Sequence, residues 1–327
     1  MDRTSERART AARYQRFAET EARGRSPLYE QLARGVAASE DVLAFLLTLP
    51  DDRRQPNLLL AAVRHLFGVL DWVRFRDAVL VNSDAVRSVM LTRSTQTNEP
   101  ARCATLLPLL MRLPQPLALI EVGASAGLCL LPDRYDYDFG QGVFGPGESN
   151  APLFRCRVNE ATPVPSNLPK IAWRAGLDLN PLDVSVSAEA GWLETLVWPE
   201  QTDRLANLRA AIKVAARSKP CVQKGDLRND LRLLAREAPK DATLVIFHTA
   251  VLAYVSSPDD RQAFAAEAMS FGGCWIANEA PGVFPEIARS ASITGPEGAF
   301  LLSMNAKPVA WADPHGASLQ WIVGAQA

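Results

Sequence analysis

The sequence predicts a mixed α/β protein in which a helical amino-terminal region precedes a parallel β-sheet wrapped by helices. Residues 1–113 show apolar residues at helical spacing and contain no strand-like run. From residue 117 onward, strand-like and helix-like runs alternate, which is typical of a parallel sheet with crossover helices. The first strand-like run ends in a bend of small residues, Gly123-Ala-Ser-Ala-Gly127.

The amino-terminal region begins with an amphipathic helix around Tyr14 and Phe17, where apolar residues recur inside a charged background. Ser26 and Pro27 are suited to cap and begin a second helix. The apolar periodicity then continues through most of the region. Further helical runs are predicted at 41–49, 57–70 and 101–112.

The sheet region contains five runs that are predicted to be parallel strands, and helical patterns between them supply the crossover connections. The strands are predicted at 117–122, 171–175, 219–223, 242–247 and 272–278, and the helices at 188–217, 227–237 and 250–270. The predicted domains are therefore a helical region, 1–113, and an α/β domain, 114–327.

Two parts of the second domain depart from this alternation. The runs 299–304 and 318–323 leave no room for a helix between them, so we predict a C-terminal antiparallel hairpin. Residues 132–170 form an insertion rich in glycine and proline. Within it, 149–158 are expected to pair with 134–139 as a small hairpin.

The composition limits the classes of partner. The 327 residues carry a net charge of −1, which argues against nucleic acid or an anionic membrane as a main partner. The five cysteines are scattered without a C-x-x-C pair and only three histidines are present, so neither a disulfide framework nor a metal site is predicted. The charged amino terminus does not resemble a signal peptide, and no apolar run approaches the ~18 residues of a membrane span. The predicted localisation is cytoplasmic, and a homo-oligomer is compatible with the sequence.

The bend at 123–127 is the strongest candidate for a functional site. Glycine permits a sharp turn and a close approach of another group. The apolar run that follows, from Leu128, is expected to begin a helix. A strand, a bend and a helix in this order point free backbone N–H groups at a ligand. Three interpretations are open: a ligand-binding loop, a Gly-x-Ser-x-Gly nucleophile elbow with Ser125 as nucleophile, and a tight turn that binds nothing.

Several motifs carry a resemblance to known families. The segment from Glu121 to Gly127 resembles the first motif of class I S-adenosylmethionine-dependent methyltransferases, with Ser125 in place of the central glycine. Five parallel strands followed by a hairpin are similar to the sheet of those enzymes. Four further motifs accompany this segment: Gln96-Thr-Asn-Glu99, Gly176-Leu-Asp-Leu-Asn-Pro181, Trp198-Pro-Glu-Gln201 and Phe247-His-Thr-Ala-Val251. Together, the five motifs resemble those of a bacterial family of unknown function that spans the chain and lies near such methyltransferases by fold.

The resemblance implies a Rossmann-like, doubly wound sheet that binds S-adenosylmethionine outside the carboxyl ends of its strands. Asp178 follows the second strand, where the family's acidic residue accepts hydrogen bonds from the ribose, or else caps the turn before Pro181. Asp226 follows the third strand and is expected to contact the adenine or to serve as a helix cap. The implied cofactor-binding residues are Glu121, Gly123, Ser125, Gly127, Asp178 and Asp226.

The implied catalytic residues follow the fourth strand. His248 is expected to act as a general base or to orient the substrate, and Tyr254 to contact it. Glu279, after the fifth strand, is a further candidate for the wall of the site. The polar segment 94–100 is either a solvated loop capped by Asn98 or a second wall. The implied substrate-binding residues are Gln96, Asn98, Glu99 and Glu279.

The predicted function is methyl transfer from S-adenosylmethionine to a small molecule. The first alternative is a nucleotide-type ligand binder on the same fold that does not methylate. The second is a serine hydrolase that uses Ser125 with His315 and either Asp226 or Glu279. Hydrolases of that class place several strands before the serine, and residues 1–113 offer none.

Overall fold

The computed structural model describes residues 3–96, 98–148 and 150–324. The chain divides into two compact units, Met1–Thr97 with Ala190–Leu205, and Asn98–Glu189 with Ala206–Ala327. Residues 102–110, which the sequence grouped with the amino-terminal region, therefore lie in the second unit. No helix in the described ranges combines the length and the apolar character needed to cross a bilayer.

The first unit is helical. Ser26 caps its second helix by accepting a hydrogen bond from the Tyr29 N–H, as predicted from the Ser26-Pro27 pair. Its apolar core includes the fully buried Tyr14 and Trp192. The helices are α1 (Arg3–Phe17, continued by a π-helical turn, Ala18–Ala22), α2 (Pro27–Ala38), α3 (Glu40–Leu46), α4 (Pro56–Phe67), α5 (Trp72–Val81) and α6 (Ser83–Thr92).

After residue 98 the chain alternates between strands and helices, and its residues 190–205 belong to the first unit. The helices are α7 (Arg102–Leu110), α8 (Ser187–Leu196), α9 (Thr202–Ser218), α10 (Leu231–Ala235), α11 (Pro258–Ser270) and α12 (Pro285–Arg289). The strands are β1 (Leu117–Val122), β2 (Asp136–Asp138), β3 (Val143–Phe144), β4 (Leu153–Arg155), β5 (Arg157–Val158), β6 (Ile171–Asp178), β7 (Cys221–Lys224), β8 (Thr243–Thr249), β9 (Cys274–Glu279), β10 (Phe300–Met304), β11 (Lys307–Ala312) and β12 (Ser318–Trp321).

The central sheet has nine strands in the order β5-β12-β11-β10-β9-β8-β1-β6-β7. From β9 to β7 every neighbouring pair is parallel. Strand β1 is buried at all six of its residues and lies in the middle of these five parallel strands. The predictions of a mixed α/β fold and of a mainly parallel central sheet are confirmed. The strand order reverses between β1 and β8, so the carboxyl ends of these two strands lie side by side at the reversal.

The C-terminal hairpin prediction is wrong. Strands β10 and β12 do not pair with each other, because β11 lies between them and pairs antiparallel with both. Asn305 and Ala306 connect β10 to β11 and both have positive φ, which permits a two-residue turn. Pro308 weakened the strand signal of β11, since proline is rare inside strands.

Two local predictions around the bend also need correction. Only a 3₁₀ turn, Leu128–Leu130, follows the bend, and a second one, Pro132–Arg134, replaces the expected helix. Pro132 stops helix propagation because it lacks an N–H and clashes with the preceding turn. In the insertion, β4 does pair with β2, but the pairing is parallel, and β3 supplies the antiparallel partner. Ser149 of the predicted hairpin lies outside the described residues.

Candidate functional site

The bend after β1 is built by left-handed backbone at three residues. Gly123, Ser125 and Gly127 have φ of 72°, 50° and 68°. A Cβ on Gly123 would lie 2.3 Å from Val251 Cγ2, in the segment after β8. The glycine at 123 is therefore required by the packing of the chain itself, whether or not a ligand binds.

Asp178, at the end of β6, points at the bend. Its Oδ2 accepts a hydrogen bond from the Ser125 N–H at 2.7 Å, and its Oδ1 accepts one from the Asn180 N–H at 2.7 Å. A carboxylate has about four lone-pair positions, so two remain for other donors. Asp178 thus fixes the bend and keeps the capacity to bind hydroxyl groups.

Asn98 occupies the other side of the bend. Its Nδ2 donates to Ser125 Oγ at 2.5 Å, and its Oδ1 accepts from the Ala126 N–H at 3.0 Å. The N–H groups of Gly123 and Ala124 donate to the Leu177 carbonyl, and that of Gly127 donates to the Ala124 carbonyl. The expectation of free N–H groups is therefore wrong, because the chain's own oxygens accept from every N–H of the bend.

Glu121 lies on β1, just before the bend, and is 4% exposed. Its Oε2 is buried and has no hydrogen-bond partner. Burial raises the pKa of this carboxyl well above its usual range, and nearby Cys129 raises it further, while Arg102 lowers it. Burial therefore favours the neutral form of the Glu121 carboxyl.

His248, at the end of β8, is fully buried and both of its ring nitrogens are engaged. Trp275 Nε1–H donates to His248 Nε2 at 3.0 Å, and His248 Nδ1 lies 2.7 Å from Glu279 Oε1. An indole nitrogen can only donate, so Nε2 is unprotonated and Nδ1 carries the proton. Neither nitrogen is left to exchange a proton with a substrate.

Glu279 connects His248 to the segment that follows β8. Its Oε1 also accepts from the N–H groups of Val251 and Leu252, at 2.8 and 3.1 Å. These bonds fix the 3₁₀ turn Leu252–Tyr254, in which Tyr254 is 73% exposed. The geometry of His248 and Glu279 is that of a positioning network for this segment.

Asp226 and Glu99 have basic partners of their own. Asp226 follows β7 and is bound by Arg228, with 2.6 Å between Oδ2 and Nη2, and this hydrogen bond lowers the pKa of Asp226. Glu99 is buried in the second unit, 3.3 Å from His315 Nδ1 through its Oε2. Gln96 belongs to the first unit, and Thr97 lies outside the described residues. Within the polar segment, the side chain of Asn98 is hydrogen-bonded to the bend.

Three polar residues that sequence reasoning missed lie at the same end of the sheet. Arg102, the first residue of α7, is 4% exposed, and its Nη1 donates to the carbonyl and hydroxyl of Thr249 at 3.0 and 3.2 Å. Asn278 is fully buried and both of its side-chain polar atoms lack partners. Two signals were available in the sequence. Arg102 is the one charged residue in an otherwise mainly apolar helix, and Asn278 is a polar residue near the end of a mainly apolar strand.

Ser125 does not form the contacts of a hydrolase nucleophile. The described hydrogen bonds of its side chain include Asn98 and no histidine. His315 lies beside Glu99, and His248 is enclosed by Trp275 and Glu279. These contacts differ from those of a nucleophile elbow, and the N–H groups of the bend are bonded within the chain itself. Within the described ranges, no group of three or more His, Cys, Asp or Glu side chains is arranged to hold a metal ion.

A family model described as "Uncharacterized protein conserved in bacteria (DUF2332)" matches residues 11–321. The chain belongs to the DUF2332 family. The sequence resemblance to a bacterial family of unknown function is thereby confirmed. No curated protein matches this DUF2332 chain, and no solved structure does. None of the comparisons links it to a methyltransferase.

Proposed function

We propose that this DUF2332 protein binds S-adenosylmethionine at the carboxyl ends of β1 and β6 and transfers its methyl group to a small molecule. The observation that carries the proposal is the Asp178 carboxylate, held 2.7 Å from the Ser125 N–H beside the point where strand order reverses. In doubly wound, Rossmann-like sheets, ligands bind at that point. The five parallel strands with the first strand in the middle are consistent with such a sheet.

The residues around the bend suit a nucleoside better than a phosphate. The N–H groups of the bend already have acceptors, so they offer little to an anion. Asp178 would accept hydrogen bonds from the ribose hydroxyls through its remaining lone pairs. Glu121 and Ser125 would contact the part of the ligand nearest β1, and the small residues at 123 and 127 keep the backbone close. Asp226 already forms an ion pair with Arg228, so it would accept a hydrogen bond from adenine while also keeping its bond to Arg228.

The chemistry divides between ligand and protein. S-adenosylmethionine, when bound, supplies an activated methyl group and its own leaving group. The protein then supplies mainly alignment of the acceptor. His248 and Glu279 hold the segment that bears Tyr254, and Tyr254 is exposed to contact an acceptor. In this proposal His248 is a positioning residue, because its nitrogens are bonded inside the protein.

The same observation favours a second candidate function, binding without methyl transfer. A binder needs Asp178 and the bend but no base. It would retain affinity for S-adenosylmethionine and show no transfer to any member of a metabolite extract.

Isothermal titration calorimetry of the full chain with S-adenosylmethionine and S-adenosylhomocysteine tests the proposed binding. We expect Asp178→Asn to weaken the affinity about tenfold to hundredfold, since a hydrogen bond to a charged group contributes roughly 1.5–3 kcal/mol. Asp183→Asn, the same change at an exposed position, is the matched control and should leave the affinity unchanged. Absence of binding by the wild-type chain, or equal affinity of Asp178→Asn, would contradict the proposal.

A further inference from the structure

Arg102 is a buried cation whose hydrogen bonds go to neutral groups. Its Nε donates to the Pro314 carbonyl at 2.8 Å, and its Nη1 donates to Thr249. Among the described residues, no carboxylate forms an ion pair with Arg102 and none accepts a hydrogen bond from its Nη2. The nearby Glu121 carboxyl forms no ion pair with Arg102, and burial favours the neutral form of Glu121 by raising its pKa. A buried guanidinium needs compensating acceptors, and Nη2 of Arg102 remains able to donate to a bound anion.

Asn278 places unused hydrogen-bonding groups beside this cation. Thr249 and Asn278 are register partners on β8 and β9, so their side chains leave the same face of the sheet with Cβ atoms about 5 Å apart. The Thr249 hydroxyl already contacts Arg102 Nη1, at 3.2 Å. The Asn278 amide is fully buried, with neither Nδ2 nor Oδ1 bonded. Native proteins rarely leave a buried amide without hydrogen bonds, so an ordered water or a bound group is expected to complete those of Asn278.

We propose that Arg102, Thr249 and Asn278 form a binding site for a small carboxylate. Arg102 Nη2 and Asn278 Nδ2 donate to the carboxylate oxygens, and Asn278 Oδ1 accepts from a hydroxyl or ammonium group on the same ligand. One guanidinium matches one negative charge, which favours a carboxylate over a phosphate of nearly two charges. The Phe300 ring, 5.9 Å from the guanidinium carbon, closes one side of the site.

Two kinds of ligand carry such a carboxylate: a separate hydroxy or amino acid, and S-adenosylmethionine through its amino-acid end. The first kind is independent of the proposed function, and the second rests on it. The probes are therefore acetate and glycolate without nucleoside, and S-adenosylmethionine compared with 5′-methylthioadenosine, which lacks the amino-acid end. Binding is followed by calorimetry and by the shift in thermal midpoint of the full chain, against chloride at equal ionic strength.

Two variants separate a ligand site from a structural arginine. Arg102→Lys keeps the charge and loses the planar fork, and should weaken acetate binding about 30-fold or more. Asn278→Asp places a carboxylate beside Arg102, so it should raise the thermal midpoint without acetate and abolish the response to acetate. Arg174→Lys is the matched control, because Arg174 already pairs with Asp133 at 2.7 Å.

Saturable binding of acetate or glycolate that both variants lose supports a separate acid as the ligand. Tighter binding of S-adenosylmethionine than of 5′-methylthioadenosine, seen only when Arg102 is intact, supports the amino-acid end as the source. The proposal is overturned if neither response occurs, or if Asn278→Asp lowers the thermal midpoint and leaves the acetate response unchanged. Those results would mean that ordered water alone satisfies Asn278. If S-adenosylmethionine fails to bind while acetate binds, only the proposed function fails.

Discussion

Glu121 is a buried carboxyl group with an oxygen atom that has no hydrogen-bond partner. Its position after an apolar run was visible in the sequence, but its environment was not, since that depends on Arg102 and Cys129 from other parts of the chain. The carboxyl is enclosed, its Oε2 has no partner, and its pKa is raised by burial. At the residue scale, burial favours the neutral form of Glu121, so its ionisation at high pH lowers the stability of the fold.

The raised pKa of Glu121 makes the free energy of unfolding decrease as the pH rises. The folded chain retains a proton that the unfolded chain loses above the ordinary carboxyl pKa of 4.5, so unfolding becomes easier as pH rises. Glu121→Gln removes this dependence. Above pH 4.5, we expect the free energy of unfolding of the variant to rise relative to that of the wild type by up to about 1.4 kcal/mol per pH unit. Urea unfolding at several pH values measures the gap, with Glu160→Gln, at an exposed position, as control. A gap that is constant with pH would show that Glu121 ionises normally.

At the scale of elements, the bend after β1 packs against the segment after β8. Val251 occupies the space above Gly123, and Glu279 holds the Val251 N–H at 2.8 Å. The sequence predicted both strands and both segments, because apolar runs and glycines are local signals. It did not predict that the chain's own side chains would satisfy the bend, since Asn98 and Asp178 reach it from distant positions. Strand β11 was missed for a local reason, the proline at 308.

The fit between these two segments predicts a specific loss of stability. Gly123→Ala places a Cβ 2.3 Å from Val251 Cγ2 at a φ of 72°, so we expect a loss of about 2–4 kcal/mol in urea unfolding. Gly140→Ala, with a φ of 87° and nothing within 4 Å of its Cβ, should lose only the conformational part. Adding Val251→Ala to Gly123→Ala should restore part of the loss. Equal losses for Gly123→Ala and Gly140→Ala would refute the packing account.

At the scale of the whole molecule, the fold class followed from the order of patterns along the chain. Helical periodicity before residue 113 and alternation after residue 117 were enough to predict a mixed α/β protein with a mainly parallel sheet. Residues 190–205 belong to the first unit, although sequence position placed them in the α/β region, because packing depends on contacts across long separations. The candidate site was predictable where its residues follow strand ends. It was not predictable where they come from a helix start, as with Arg102, or where other side chains enclose them, as Trp275 and Glu279 enclose His248.

A crystal structure of the full chain grown with S-adenosylhomocysteine tests the central claim most directly. The account predicts a nucleoside at the bend, with its ribose hydroxyls within hydrogen-bond distance of the Asp178 carboxylate. A structure at saturating ligand in which no nucleoside lies beside Asp178 would contradict it.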